Sequence, residues 1–244
     1  MIHARHLGTV LLFAGIIVAW QVVHLIGGDG ALASPAATAV KLAGLLQSSM
    51  FWGHVAETAG AFALALVLGI LCGVSLGIAL GFSRTSLAVA EPILVNLYTI
   101  PKVTLYPLVL LCFGLGMAAK VAFGVMHGMI PMTIFTMNAI RQMKPVFLRS
   151  SKMMRLSAWQ TASTIVLPAV MPEVLSGIRL GFSLTLLGVL IGEMFASKRG
   201  LGFLVTQAMN LGDTETIMAV AVLLTAFAVT ANGLLIRLGS LRRS

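Results

Sequence analysis

Residues 58–81, TAGAFALALVLGILCGVSLGIALG, form an apolar run without a charged side chain. A helix needs about 20 such residues to cross the hydrocarbon core of a bilayer. Four glycines recur at every fourth position and share one helical face: Gly69, Gly73, Gly77 and Gly81. Small residues at this spacing let a second backbone approach closely. The stretch therefore predicts a membrane-spanning helix that packs through its glycine face against another helix.

The composition extends this prediction to the whole chain of 244 residues. Hydrophobic residues make up 59% and charged residues 9%, whereas a soluble domain has about 25% charged residues. We therefore predict an all-α, polytopic membrane protein that forms one domain over residues 1–244. About six transmembrane helices are expected, with a loop and a short surface helix at 27–57. The predicted spans are residues 8–26, 58–81, 93–114, 120–140, 176–196 and 217–236.

The N-terminal run resembles a secretory signal, with a basic start and the small residues ALAS at 31–34. Its apolar part extends from Leu7 to about Ile26, which is closer to a membrane span than to the core of a signal peptide. We expect an uncleaved first helix.

The distribution of lysine and arginine predicts the orientation, because cytoplasmic loops carry more of both. With both termini in the cytoplasm, the inner side collects Arg5, Arg84, Arg141, Lys144, Arg149, Lys152, Arg155, Arg237, Arg242 and Arg243. The outer side then collects Lys41, Lys120, Lys198 and Arg199. We therefore expect both termini to be cytoplasmic.

Several function classes are excluded by the residues. The net charge of +9 lies at the ends of apolar runs, not in a patch with interleaved aromatics, so nucleic-acid binding is not expected. The sequence contains no GxxxxGK[ST] phosphate loop, and its five histidines lack metal-ligand spacing. Cys72 and Cys112 lie inside apolar segments and suggest neither a disulfide nor a metal site. We expect no catalysis and no cofactor on this chain.

The third predicted span is irregular, because it contains or borders Pro92, Pro101 and Pro107. Proline removes a helical hydrogen bond, and such backbone is tolerated in a bilayer only beside protein or a water-filled cavity. Lys102 lies in the same segment. An ionisable residue there marks a transport pathway or, alternatively, snorkels from a helix end to the headgroups.

Other polar residues in the spans have two interpretations each. Glu193 is either a gate at the outer mouth or the partner of Lys198 or Arg199 in an ion pair. Arg179 is expected to be a snorkelling anchor. Five residues carry hydroxyl or amide groups that could contact a solute or hydrogen-bond to neighbouring helices. They are Asn96, Tyr98, Thr104, Ser183 and Thr185. The predicted translocation pathway comprises Asn96, Tyr98, Pro101, Lys102, Thr104, Pro107 and Glu193.

A basic insert at 141–175 separates two spans and has helical character, with Pro145 as a start and Pro168 as a stop. On such a helix one stripe would hold Lys152, Arg155 and Trp159. A second stripe would hold Phe147, Ser151, Met154 and Ala158. A helix of this kind could lie on the membrane or dock into a groove of another protein.

Four segments of the chain are informative together: VLPAVMPEVLSGIRLGFSLTLLGVLIGEM and residues 54–84, 100–116 and 192–205. They resemble permease subunits of ABC importers, in particular the nitrate/sulfonate/taurine type, in which the first segment follows the "EAA" loop. The matching segments occur in the same order and cover most of the chain from about residue 35. The resemblance implies a type I importer permease fold over about 35–240 and a cytoplasmic coupling helix at 145–165.

The signature chemistry of that loop is altered here. With Leu167-Pro168 and Trp159-Gln160 as anchors, Arg149 occupies the glutamate position and Arg155 the glycine position. The resemblance implies that the ATPase-coupling residues are Arg149, Ser150, Ser151, Lys152, Arg155, Ser157, Trp159, Gln160 and Pro168. A dedicated ATPase with an acidic groove, a second permease that carries the ordinary loop, or reduced coupling would each account for the change.

The implied function is import of a small solute, such as the anions nitrate, sulfonate or taurine, by alternating access in a bacterial inner membrane. The implied partners are ATPase subunits that bind ATP and magnesium, a second permease, the lipid bilayer and an extracytoplasmic solute-binding protein. A self-sufficient secondary transporter or channel is the alternative, but it would need paired broken helices in two inverted halves. A non-transporting scaffold would have no use for the Lys102 segment.

Overall fold

The structure is a computed structural model that describes residues 2–241. Side chains are described within this range except at 2–7, 9, 10, 148, 158, 196 and 238–241. Arg5, Arg242 and Arg243, which enter the charge count, lie outside the described side chains.

Helices form nearly all of the described chain. The N-terminal half contains α1 (Ile2–Gly27), α2 (Pro35–Leu46), α3 (Ser49–Gly81), α4 (Arg84–Thr99), a 3₁₀ turn (Lys102–Leu105), α5 (Tyr106–Phe113) and α6 (Met117–Arg141). The C-terminal half contains α7 (Pro145–Met153), α8 (Ala158–Gln160), a π-helical turn (Thr161–Val166), α9 (Leu167–Ala196), α10 (Leu201–Leu211) and α11 (Thr214–Leu241).

The membrane-spanning helices agree with the prediction of about six. Four are long and apolar enough to cross a bilayer: Ser49–Gly81, Met117–Arg141, Thr161–Phe195 and Thr214–Arg237. A fifth consists of α4 and α5, which meet at an angle of 88°. The apolar α1 corresponds to the first predicted span.

The centre of the bundle is α6, the most buried of these spans, with α3 and α9 packed against it. The glycine face of α3 lies on α6. A Cβ atom added at Gly77 would be 2.6 Å from the Cβ of Thr136, and one at Gly73 would be 2.9 Å from Met129 O. Gly81 is similarly close to Ile140, whereas Gly69 has only ordinary contact distances. The close approach of the two backbones therefore depends on glycine at three of the four positions.

The predicted loop at 27–57 is shorter than expected. Its surface helix is α2, which starts at Pro35. Ser34 is the N-cap of this helix, and its hydroxyl accepts a hydrogen bond from the Ala37 N–H (3.1 Å). The prediction is wrong for 49–57, because α3 already begins at Ser49. Ser48 caps it with a β-region backbone and a hydroxyl that accepts from Phe51 N.

The predicted stop at Pro168 is also wrong. The helix that starts at Pro145 ends at Met153, and a second helical stretch starts at Ala158 and continues through Pro168 into α9. Pro168 has no N–H and cannot make a helical hydrogen bond. The π-helical turn just before it accommodates the missing bond, with Leu167 N bonded to Ala162 O, five residues back. The coupling prediction over 145–165 therefore corresponds to a short helix, a turn and the first turns of a membrane span.

Candidate functional site

Residues 144–160, called the 144–160 segment below, stand clear of the helical bundle. Among their described side chains only Ser151 is buried. Pro145 occupies the first turn of α7, where its missing N–H leaves no bond unmade. The segment is therefore held mainly by its own turns and by its junction with the π-helical turn.

The turn that ends α7 is a Schellman motif. Leu156 N bonds to Ser151 O (3.1 Å), and Arg155 N bonds to Lys152 O (3.1 Å). This motif places the residue after the cap in the left-handed region, and Arg155 has φ +52°. Glycine usually fills that position, because a side chain there is strained. The single basic stripe predicted for Lys152, Arg155 and Trp159 is thus wrong, since the helix is interrupted at Arg155.

A capping box starts the next helical stretch. The Ser157 hydroxyl accepts from Gln160 N (3.2 Å), and the Gln160 side-chain oxygen accepts from Ser157 N (2.9 Å). Ser157 and Gln160 therefore shape the backbone. Ser163 and Thr164 donate their hydroxyls to the carbonyls of Trp159 and Gln160 in the following turn.

Large apolar side chains are exposed around this turn. Met153 is 86% exposed, Met154 67% and Trp159 79%. Arg149, Ser150 and Lys152 are exposed on α7. Aromatic residues and methionine are enriched at protein interfaces, so the turn has the composition of a docking surface.

The broken helix owes its bend to proline chemistry. Proline disfavours the helical conformation in the preceding residue, and Ile100, which precedes Pro101, has ψ 132°. Pro107 then lies in the first turn of α5, where it is tolerated. The predicted irregularity is confirmed and is confined to residues 100–105.

Lys102 turns back towards the helix that it follows. Its ammonium nitrogen donates to Tyr98 O (3.0 Å) and lies 5.1 Å from the centroid of the Tyr98 ring, and the residue is 9% exposed. A cation at the last carbonyls of a helix complements the helix dipole. Thr104 donates to Pro101 O (2.7 Å), while Asn96 and Tyr98 remain exposed. The structure thus places the predicted pathway residues of α4 and the turn on one bent segment, in which Lys102 is buried and Asn96, Tyr98, Pro101 and Thr104 are exposed.

At the far end of α9, the fully buried Glu193 lies in a cluster of polar side chains. Its carboxylate accepts from the Thr58 hydroxyl (2.8 and 3.0 Å) and from Gly202 N (3.0 Å). The cation within reach is Lys120, at 3.9 Å, and not Lys198 or Arg199, which are exposed. The predicted pairing with Lys198 or Arg199 is therefore wrong, because α6 brings Lys120 beneath the loop that carries them.

The same cluster holds the loop between α9 and α10. Lys120 Nζ donates to Glu57 Oε1 (2.9 Å) and to Arg199 O (3.1 Å). Gly200 N donates to His54 Nδ1 (3.1 Å), and Leu201 N donates to the Thr58 hydroxyl (2.8 Å). Hydrogen bonds around one carboxylate therefore join α3, α6, α9 and α10.

An open cavity of about 570 Å³ lies over the cluster and is lined by residues that include Glu57, Lys120, Lys198 and Arg199. Glu193 has no exposed surface and lies below it. The bent segment reaches the same region, because the Tyr106 hydroxyl donates to Gly192 O (2.8 Å).

The sequence prediction missed His54, Glu57, Thr58 and Lys120 as members of this cluster. His54, Glu57 and Thr58 lie three and four positions apart, the spacing of one helical face, and this signal could have found them. It was missed because residues 27–57 were assigned to a loop.

Three further predicted residues have different settings. Arg179 Nε donates to Asn232 Oδ1 (3.1 Å), so it joins α9 to α11, which differs from the expected snorkelling role. Thr185 is fully buried beside Gly128, whereas Ser183 is exposed.

The helices define a polytopic membrane protein, in which a turn with exposed Met153, Met154 and Trp159 protrudes at one end of a long span. Residues 65–239 match the model of the binding-protein-dependent transport system inner membrane component family. The chain belongs to this family, and it is a permease subunit of an ABC importer.

Relatives with assigned names agree with this membership. The riboflavin transport system permease protein RibX of Chloroflexus aurantiacus is 34% identical over 91% of this chain and 85% of its own length. The putative aliphatic sulfonates transport permease protein SsuC of Bacillus subtilis is 29% identical over 86% of this chain and 76% of its own. A chain of the inward-facing MetNI methionine ABC transporter has the same fold. Its TM-score is 0.70 at 18% identity, covering 80% of this chain and 99% of that one.

Proposed function

We propose that this chain supplies one half of the membrane pathway of an ATP-driven importer and contributes no catalytic group. The 144–160 segment carries the proposal, because it exposes Met153, Met154 and Trp159 on an element that continues into α9. A separate ATPase subunit, which binds ATP and magnesium, would dock there. A second permease, identical or paralogous, would complete the pathway. The 144–160 segment and both termini would face the cytoplasm of a bacterial inner membrane.

Movement would pass through α9. A displacement of the 144–160 segment acts on the π-helical turn and then on α9, whose far end is bonded to α3, α6 and α10 through the Glu193 cluster. Closure of the ATPases would therefore shift several spans together. Alternating access to a solute delivered by an extracytoplasmic binding protein follows from such a collective shift.

For the substrate we propose a small anion, with sulfonates the first class to test. Lys102 Nζ uses one of its three donors on Tyr98 O. Its remaining protons are suited to an anionic oxygen at the bend. The SsuC relative is named for aliphatic sulfonates, which supports this choice, whereas the RibX name points to a different solute class.

Uptake into proteoliposomes tests the proposal. The chain would be reconstituted with its cognate ATPase subunit and binding protein, and uptake of labelled methanesulfonate would be measured with and without ATP. We expect uptake only when ATP and the ATPase are both present. Uptake by the chain alone, driven by an ion gradient, would identify a secondary transporter instead.

Lys102→Ala tests the pathway assignment separately. We expect it to reduce uptake at least 10-fold, about the loss of one charge-assisted hydrogen bond, while ATPase assembly stays unchanged. Arg84→Ala is the control, because it removes one positive charge from the exposed opposite end of α4. Undiminished uptake by Lys102→Ala would remove Lys102 as a ligand.

A further inference from the structure

We propose that the groove that receives the 144–160 segment is acidic, and that a carboxylate of the ATPase subunit pairs with the guanidinium of Arg155. Met153, Met154 and Trp159 would fill apolar pockets beside that carboxylate. This inference rests on the proposed function, because it names the chemistry of the partner at the proposed docking surface.

The first argument is the backbone of Arg155. Over residues 2–241 it is the one non-glycine residue with positive φ, at +52°. Glycine would complete the same Schellman turn without strain. Residues held in such conformations are concentrated at functional sites, where the side chain has a use that offsets the strain. We therefore infer that the exposed side chain of Arg155 binds a partner.

The second argument is charge. The 144–160 segment contains four basic residues and no acidic one: Lys144, Arg149, Lys152 and Arg155. Just before the segment, Arg141 pairs with Glu91 at 2.9 Å. Both residues of this ion pair lie outside the segment, so it leaves the charge of the segment unchanged. Complementary potentials are the rule across interfaces, so the matching surface must be acidic.

The third argument favours a protein over an anionic membrane. A helix that lies on a bilayer presents a continuous apolar face. Here Val146, Phe147, Met153 and Met154 are exposed along α7 and at its end, but the exposed Trp159 lies beyond the turn at Arg155, so the apolar surface is not one continuous helix face. A protruding turn with an arginine between apolar side chains fits a concave pocket on a protein. Aromatic and arginine side chains buried in such pockets contribute most of the binding energy of protein interfaces.

Binding measurements with matched variants test the inference. The chain would be placed in phosphatidylcholine nanodiscs, and its affinity for the cognate ATPase subunit would be measured. Arg155→Gln keeps the strained backbone and removes the charge, and we expect about 10-fold weaker binding. Arg155→Lys keeps strain and charge and should stay within a few-fold of the wild type. Arg84→Gln, the same substitution at an exposed arginine outside the 144–160 segment, is the control.

Salt provides a second readout. Raising the ionic strength should weaken binding of the wild type more than binding of Arg155→Gln, because only the wild type retains the charge pair. Equal binding by the wild type and Arg155→Gln at low salt would overturn the inference and leave the proposed function intact. If the wild type itself did not bind the ATPase, that result would contradict the proposed function, and with it the inference that rests on it.

A lipid contact would produce a different pattern. Under that alternative, Arg155→Gln would bind the ATPase normally. Adding phosphatidylglycerol to the nanodiscs would change the exposure of Trp159, measured by its fluorescence, in the wild type but not in Arg155→Gln. That outcome would overturn the acidic groove.

Discussion

The hydroxyl of Thr58 lies 2.8 Å and 3.0 Å from the two carboxylate oxygens of Glu193, and it joins α3 to α9 where both are fully packed. The same oxygen accepts from Leu201 N. One hydroxyl thus bonds both a buried carboxylate and a buried backbone donor, so its removal leaves Leu201 N without its partner and takes one hydrogen bond from Glu193. Glu193 keeps only Gly202 N and the more distant Lys120.

We predict that Thr58→Val destabilises the chain by about 3 kcal/mol, because unsatisfied buried groups are costly and charged ones more so. For a chain of this size the thermal midpoint in detergent should fall by about 6–12 °C. Thr225→Val is the matched control, since the exposed Thr225 hydroxyl bonds only to Ala221 O of its own helix. A shift no larger than that of the control would contradict the role assigned to Thr58.

Arg155→Gly should stabilise the isolated chain. Glycine adopts the left-handed backbone of this turn without the cost of roughly 1–2 kcal/mol that a side chain brings, and the added freedom of glycine in the unfolded chain offsets part of this gain. We expect a net gain of about 1 kcal/mol and a rise of about 2–4 °C in the thermal midpoint.

The control for that variant is Arg149→Gly, which removes the same side chain from the body of α7. There glycine costs about 1 kcal/mol of helix stability, so the midpoint should fall. If both variants shifted the midpoint in the same direction, the strain at Arg155 would be refuted.

Asp213 predicts a pH dependence at the start of α11. Burial raises the pKa of its carboxyl group, but hydrogen bonds from Thr216 N (2.9 Å), the Thr216 hydroxyl (2.7 Å) and Lys41 Nζ (3.0 Å) outweigh burial. The pKa of Asp213 in the folded chain therefore lies below its ordinary value. The ionised form contributes stability above the unfolded pKa of about 4, and this contribution is lost as the pH falls through the folded pKa.

The comparison of the wild type with Asp213→Asn measures this contribution, because asparagine keeps the capping geometry and removes the charge. We expect the wild type to have the higher thermal midpoint at pH 7 and the difference to shrink below about pH 4. A difference that stays constant down to pH 3 would show that charge is not involved.

The spans and the bend could be predicted from the sequence because their causes are local. An apolar run of spanning length forms a helix in lipid wherever it packs, and Pro101 forces Ile100 out of the helical region without help from distant residues. The glycine spacing of α3 likewise predicted a close contact. The identity of the contacting helix, α6, required the tertiary structure.

The Glu193 cluster could not be predicted because its members are far apart in the sequence. Thr58 and Glu193 are separated by 135 residues, and Lys120 reaches both Glu57 and Glu193 from a third helix. The turn at Arg155 escaped prediction for the opposite reason. Local preference argues against an arginine in the left-handed region, so spacing alone suggested an unbroken helix.

The contact between α3 and α6 allows a test of the glycine face. Gly77→Ala would place a Cβ 2.6 Å from Thr136 Cβ and 2.8 Å from Thr133 O, so the two backbones must separate. Overpacking of this kind costs about 1–3 kcal/mol, which outweighs the better helix propensity of alanine. We expect a midpoint lowered by several degrees. Gly60→Ala, on the same helix with open space around the new methyl group, should raise it instead, by about 1 kcal/mol of stability. Because both variants make the same chemical change in α3, opposite shifts can arise only from what the new methyl group meets. Stabilisation by both would mean that α3 and α6 are not in close contact at Gly77.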